Sequence, residues 1–177
     1  LLTSQIVALT SAQVAALTTE QMVALESADL AALTVDQVAA LTTAQVRALT
    51  TDQIPVLTVS QLQALETADI AALSSAQIAA LTTAQAAALS TAQIVAFSSV
   101  QIQALELEDL AALTVAQIKA IQTVDLAALS TAQVSALTTE QVEALTVQQV
   151  ANLTTAQVAA LQTADLLVLT SAQIAAL

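Results

Sequence analysis

Thr154-Thr155-Ala156-Gln157-Val158-Ala159-Ala160-Leu161 is the stretch on which the reading of this chain turns, because it recurs almost everywhere else. From Leu2 to Leu177 the sequence divides, without gap or insertion, into twenty-two such octads. Self-similarity at a fixed short period is the mark of a repeat architecture and takes precedence over any local motif. Positions are numbered 1 to 8 within each octad, so octad 1 runs from Leu2 to Leu9 and octad 22 from Thr170 to Leu177.

Position 8 is Leu throughout except at Phe97 and Ile121, and position 7 is Ala except at Val56, Asn152 and Val168. Position 5 is mostly Val or Ile, with Leu in five octads and Met22 and Ala86 as exceptions. Variation concentrates at positions 2, 3 and 6, which hold Arg47, Lys119, Glu143, Gln63, Gln103 and Pro55. Positions 5, 7 and 8 therefore read as interior, and positions 3 and 6 as solvent-facing.

A single continuous helix does not fit. Eight residues at 100° each overshoot two turns by roughly 80°, so a Leu stripe would spiral around the rod. A coiled coil needs a heptad or an eleven-residue repeat. Strands are disfavoured by the abundant Ala and the absence of glycine turns. What remains is a helix broken once per octad.

The break has its own chemistry. Position 1 is Ser or Thr in sixteen octads and position 4 is Gln in seventeen. Ser/Thr-x-x-Gln is a capping box, in which the hydroxyl accepts the N–H of the third helical residue and the long side chain reaches back to the cap's own N–H. Leu before the cap and Val or Ile at the fourth helical residue form the accompanying hydrophobic staple. On this reading Thr154→Ala costs about 0.5–2 kcal/mol, and Gln157→Ala costs on the order of 1 kcal/mol or less.

Five octads replace Gln by Asp, at Asp29, Asp69, Asp109, Asp125 and Asp165. Position 1 changes with them, to Glu26, Glu66, Glu106, Gln122 and Gln162. The exchange of a short-then-long pair for a long-then-short pair implies that the two side chains share one space or bond to each other's backbone. The Asp octads recur five units apart at Asp29, Asp69 and Asp109, and again at Asp125 and Asp165, which fits either a forty-residue duplication or the turn of a superhelix. Pro55, at position 6, is the residue least at ease inside a helix, since it removes an amide donor and crowds the preceding turn.

The expected fold is all-α: a solenoid or superhelix of very short capped helices, one per octad. It forms a single repeat domain over residues 2–177, a segment of a longer protein. A helix this short does not persist alone in water, so its stability must come from stacking on its neighbours.

Composition excludes most chemistry. The chain has no His, Cys, Gly, Trp or Tyr, and its lone Lys119 lies at a variable position. Activated nucleophiles need a base beside them, and phosphate-cradling loops need glycine; no catalytic, cofactor-binding or metal-binding residue is assigned, and no cofactor is expected. Acids at position 3 (Glu20, Asp36, Asp52, Glu108 and Glu140) read as solvated helix starts. Glu106, Glu108 and Asp109, or the pairs Glu26 with Asp29 and Glu66 with Asp69, are the carboxylates that stacking could bring together, but calcium loops with their backbone carbonyls are not encoded. A net charge of −12 opposes contact with phosphate backbones, so no nucleic-acid partner is expected. Thr and Gln or Asp return every eight residues, too often for a membrane span.

The run Leu-Thr-Thr-Ala-Gln-Val-Ala-Ala-Leu at Leu153 to Leu161 resembles the octapeptide tandem-repeat tracts of large bacterial secreted or surface adhesin-like proteins. The resemblance spans essentially the whole chain and brings no site residues with it. It implies a bacterial origin, a secreted or cell-surface location and a non-catalytic role as spacer or scaffold between flanking domains of the same chain. The alternative is a binding module, for a protein partner or for self-association through uncapped solenoid ends, with an apolar patch on positions 2 and 6, where Val7, Val23, Val95 and Leu167 stand, as its surface. A regular Thr face, as on an ice-binding surface, is a remote third.

Overall fold

The computed structural model describes residues 3–177. Among them every octad but one carries a short α-helix, of four to six residues, and no strand is present. The chain forms two compact units, the first running through Leu89 and the second from Ser90. Both are all-α repeat solenoids built on one plan.

Within an α-helical octad the chain is helical from position 2 to position 5, 6 or 7 and extended across positions 8 and 1. Leu65 has φ −64° and ψ 135°, and Thr58 has φ −66° and ψ 156°. This is why a glycine-free chain can stop a helix every eight residues. Helices that end through a left-handed residue favour glycine there; these leave through an extended Leu instead, and no described residue has positive φ.

Helices three octads apart lie against one another. Val35–Ala39 packs on Val59–Ala64 in the first unit, and Leu107–Ala112 packs on Thr131–Ala136 in the second. Each coil thus closes after three to four octads. The five-octad spacing within the Asp octads therefore does not match the turn of the coil.

Burial corrects the position assignment. Position 5 is sealed and position 8 nearly so, as at Ile102 (0 % exposed) and Leu105 (3 %). Each such side chain stabilises the coil by about 1.5–3 kcal/mol before entropy. Position 7, expected inside, is only half-buried in most octads, as at Ala64 and Ala104. The third buried position is the polar position 4: Gln61 is 2 % exposed and Asp69 is 4 % exposed. Positions 3 and 6 face solvent over most of the chain, Arg47 and Lys119 included.

Octad 7 departs from the pattern at Pro55. Its α-helix is replaced by a 3-10 turn at Ile54–Val56, with Pro55 exposed. The surrounding bonds survive: Ile54 N–H donates to the Thr50 carbonyl at 3.2 Å and Leu57 N–H to the Ile54 carbonyl at 3.2 Å. Proline costs a helix one amide donor and crowds the turn before it; in a unit this short the turn tightens locally and the octad keeps its place.

Candidate functional site

Position 4 carries a recurring polar construction, and it begins at the cap. Thr58 N–H donates to Gln61 Oε1 at 2.7 Å, and Gln61 N–H donates to Thr58 Oγ1 at 3.2 Å, closing the capping box. The same reciprocal pair joins Thr42 to Gln45, Thr138 to Gln141 and Thr154 to Gln157. The amide oxygen and the hydroxyl are thereby engaged within the octad.

The other end of the amide reaches across to the coil before. Gln45 Nε2 donates to the carbonyls of Val14 and Leu17, both at 2.8 Å, positions 5 and 8 of the octad four earlier. Gln61 repeats this on Leu30 (3.2 Å) and Leu33 (2.7 Å), and Gln85 on Ile54 (2.9 Å) and Leu57 (2.7 Å). In the second unit Gln141 binds Leu110 (2.9 Å) and Leu113 (2.7 Å), and Gln149 binds Ile118 and Ile121, both at 2.9 Å. One side chain thus starts its own helix and ends another, satisfying carbonyls that a helix C-terminus leaves without intrahelical partners.

Sequence reasoning missed this donor role, although a signal for it was there. A capping box accepts Glu as readily as Gln at its third helical residue, yet no octad has Glu at position 4. Glutamate can accept the cap's N–H but cannot donate to the two carbonyls beyond it. The consistent choice of amide over the carboxylate of the same length is the trace of a donor requirement.

The Asp octads solve the same problem with the parts exchanged. Asp69 Oδ2 accepts from Glu66 N–H at 3.1 Å and Asp165 Oδ2 from Gln162 N–H at 3.0 Å, keeping the backbone half of the cap. The second carboxylate oxygen is met by a hydroxyl from position 2 of the octad three earlier. Thr43 Oγ1 donates to Asp69 Oδ1 at 2.8 Å, Ser99 Oγ to Asp125 at 2.6 Å, and Thr139 Oγ1 to Asp165 at 3.1 Å. The amide donor moves to position 1: Gln122 Nε2 reaches the Val95 carbonyl at 3.0 Å and Gln162 Nε2 the Ser135 carbonyl at 3.1 Å. In the two Asp octads with Gln at position 1 the inter-coil donor passes from the fourth position to the first, whereas Glu26, Glu66 and Glu106 carry no amide to donate.

The carboxylate pairs do not converge into a cation site. Asp29 and Asp69 are buried, whereas Glu26 and Glu66 are exposed. Thr3 Oγ1 donates to Asp29 Oδ1 at 3.1 Å. Among the described residues no group of three or more Asp, Glu, His or Cys is placed to hold a metal ion. The position 3 acids are exposed, and Glu20, Asp36, Glu108 and Glu140 stand in the first turn of their helices. The Glu20 carboxyl is held below the usual carboxylate range, chiefly by a hydrogen bond with its own backbone and next by the Thr18 hydroxyl.

This octad, capped by Ser or Thr and stitched by Gln, is the unit that a known family describes. The ALTTAQ repeat model matches residues 1–26, 22–59, 62–99 and 118–155. The chain belongs to the ALTTAQ repeat family. The six letters of its name fall on the Ala and Leu that close one octad and the Thr, Thr, Ala and Gln that open the next, as in Ala40-Leu41-Thr42-Thr43-Ala44-Gln45. They therefore span the junction where the cap and the inter-coil amide are made. The chain matches no curated protein. Among the described residues of these ALTTAQ repeats, no helix is long and apolar enough to cross a membrane.

Proposed function

We propose that this ALTTAQ tract is a non-catalytic spacer or scaffold, one repeat domain of twenty-two octads set between other domains of a longer chain. The observation that carries this reading is where its polar side chains are used. The cap hydroxyls and the position 4 amides, the groups from which a site could be built, bond to the chain's own backbone in coil after coil. Such a unit can be added or removed without disturbing a site, because each coil depends on its near neighbours, as in other solenoids. The resemblance to tracts of large bacterial secreted or surface proteins supports the same role and a place outside the cell. The net charge of −12 argues against a nucleic-acid partner.

The test uses the absence of cysteine. Ala92→Cys and Ala172→Cys, both at exposed positions of the second unit, carry a fluorescent donor and acceptor. Inserting whole octads between them should lengthen the donor–acceptor distance in proportion to the number inserted. An unchanged distance would refute the spacer role.

The binding-module alternative keeps one local observation in its favour. Val35 and Val59, 46 % and 36 % exposed, sit at position 2 of two helices that pack together. Val7, Val23 and Val95 are each 47 % exposed and Leu167 80 %, but they stand on octads dispersed along the sequence.

A further inference from the structure

Two octads of the first unit lack part of what holds a coil closed, and they stack on each other. In octad 7 Pro55 has no N–H to give a helix, and the α-helix is replaced by the 3-10 turn Ile54–Val56. In octad 11 position 5 is Ala86, where every other octad has Val, Ile, Leu or Met. Ala86 is sealed like its counterparts, at 0 % exposed, so the coil closes over it with fewer apolar atoms to bury. The two octads meet directly: Gln85 Nε2 donates to the Ile54 and Leu57 carbonyls at 2.9 and 2.7 Å. Packing beside them is thin as well. The Ile54–Val56 turn lies against Ser27–Ala32, three octads earlier, but does not pack comparably on Ser75–Ala79, three octads later. Its neighbours Thr43–Ala48 and Val59–Ala64 each pack on helices in both directions.

We infer that octads 7 and 11 form a seam at which the first unit opens locally, more readily than at the regular octad 6 beside it. Local stability follows the density of buried apolar contacts, and segments poor in them open first. Here both faces of one contact are weakened, the lower by a missing helical amide and the upper by a missing core side chain. What stays whole is polar: the two Gln85 bonds, and Gln63 Nε2 donating to the Ala88 carbonyl at 2.6 Å. These bonds are short and directional, and they fix the register in which the seam recloses. In a spacer under load the seam is the place that yields before the coils around it. That consequence rests on the spacer role; the seam itself does not.

Backbone amide exchange of the intact chain, resolved by nuclear magnetic resonance and corrected for local sequence, provides the test. Leu57 N–H and Ala86 N–H donate to the Ile54 and Thr82 carbonyls at 3.2 and 2.9 Å. Their counterparts in octad 6, Leu49 N–H and Val46 N–H, donate to Val46 and Thr42 at 3.2 and 3.0 Å. Because all four are bonded alike, a difference in rate reports opening. The seam amides should exchange at least about tenfold faster than those of octad 6. Pro55→Ala places at an exposed position the residue that Ala71 and Ala79 supply in other octads, and should slow both Leu57 and Ala86 at least about threefold. Ala86→Val should slow Leu57 as well as its own amide. Such an effect on the other octad is what one shared seam requires and two separate defects do not. Equal protection at all four amides would overturn the proposal, as would a Pro55→Ala chain in which Leu57 slows and Ala86 does not. Pro55→Ala decides the matter alone where a Val at position 86 overfills the closed core. Exchange reads the seam whether or not the tract serves as a spacer.

Discussion

Replacing Gln45 by Glu isolates the donor role of position 4. The carboxylate keeps the oxygen that accepts Thr42 N–H at 2.8 Å and has nearly the same shape, so the cap is retained. What it loses is the –NH₂ group lying 2.8 Å from both the Val14 and Leu17 carbonyls. Two inter-coil bonds at about 1 kcal/mol each account for ~2 kcal/mol. An anionic oxygen facing two carbonyls at a residue only 2 % exposed is an uncompensated buried charge, which brings the total to about 3–5 kcal/mol. The matched control is Gln13→Glu, the same substitution on an exposed side chain of the same unit, with an expected change within about 0.5 kcal/mol. Urea unfolding followed by far-ultraviolet circular dichroism measures both. Burial raises the folded-state pKa of the new carboxyl above its unfolded value of about 4.3. The proton-linked stability is then fully present below that unfolded value and is lost as pH rises through the folded one. The deficit of Gln45→Glu should accordingly shrink on acidification towards pH ~4. Equal effects at positions 45 and 13, or a deficit indifferent to pH, would show that the amide is not a donor between coils.

The Asp octads and the core give three further expectations. Thr43→Val removes the hydroxyl that meets buried Asp69 at 2.8 Å and should cost about 1–3 kcal/mol, while Thr67→Val, at an exposed position 2 with no such bond, should be nearly neutral by the same unfolding assay. Glu66 stands where Gln122 and Gln162 donate to the preceding coil, so Glu66→Gln should add a bond and stabilise by about 0.5–1.5 kcal/mol. Core truncation at Ile102→Ala, where the side chain is fully buried, should cost about 2–5 kcal/mol and raise the amide exchange rates of the surrounding octads in the second unit.

The local structure is legible because capping is written in neighbouring residues. Thr154 and Gln157 lie three apart in sequence and bond each other, so a spacing rule finds them. The coil is not legible in the same way, since Gln157 also binds the Leu126 and Leu129 carbonyls, groups that every residue owns and no side-chain pattern reveals. The spacing rule therefore sets the effect of Gln157→Ala too low: it counts one cap bond and misses a buried donor holding two more partners. The Ala of position 7 misleads for a related reason. A small apolar side chain of constant identity looks like core, but here it stays only half-covered in most octads. The Asp–Gln exchange is visible as covariation within the chain, but the partner of the Asp, a hydroxyl from the octad three earlier at Asp69, Asp125 and Asp165, shows only once the neighbouring coil is in place.

The most direct check on the inter-coil amide is hydrogen exchange of the glutamine side chains themselves, resolved by nuclear magnetic resonance. The –NH₂ protons of Gln45, Gln61 and Gln141 should exchange far more slowly than those of Gln13 and Gln21, which serve as internal references in the same sample. Uniform, fast exchange at all five would contradict the claim that these amides bind successive coils together.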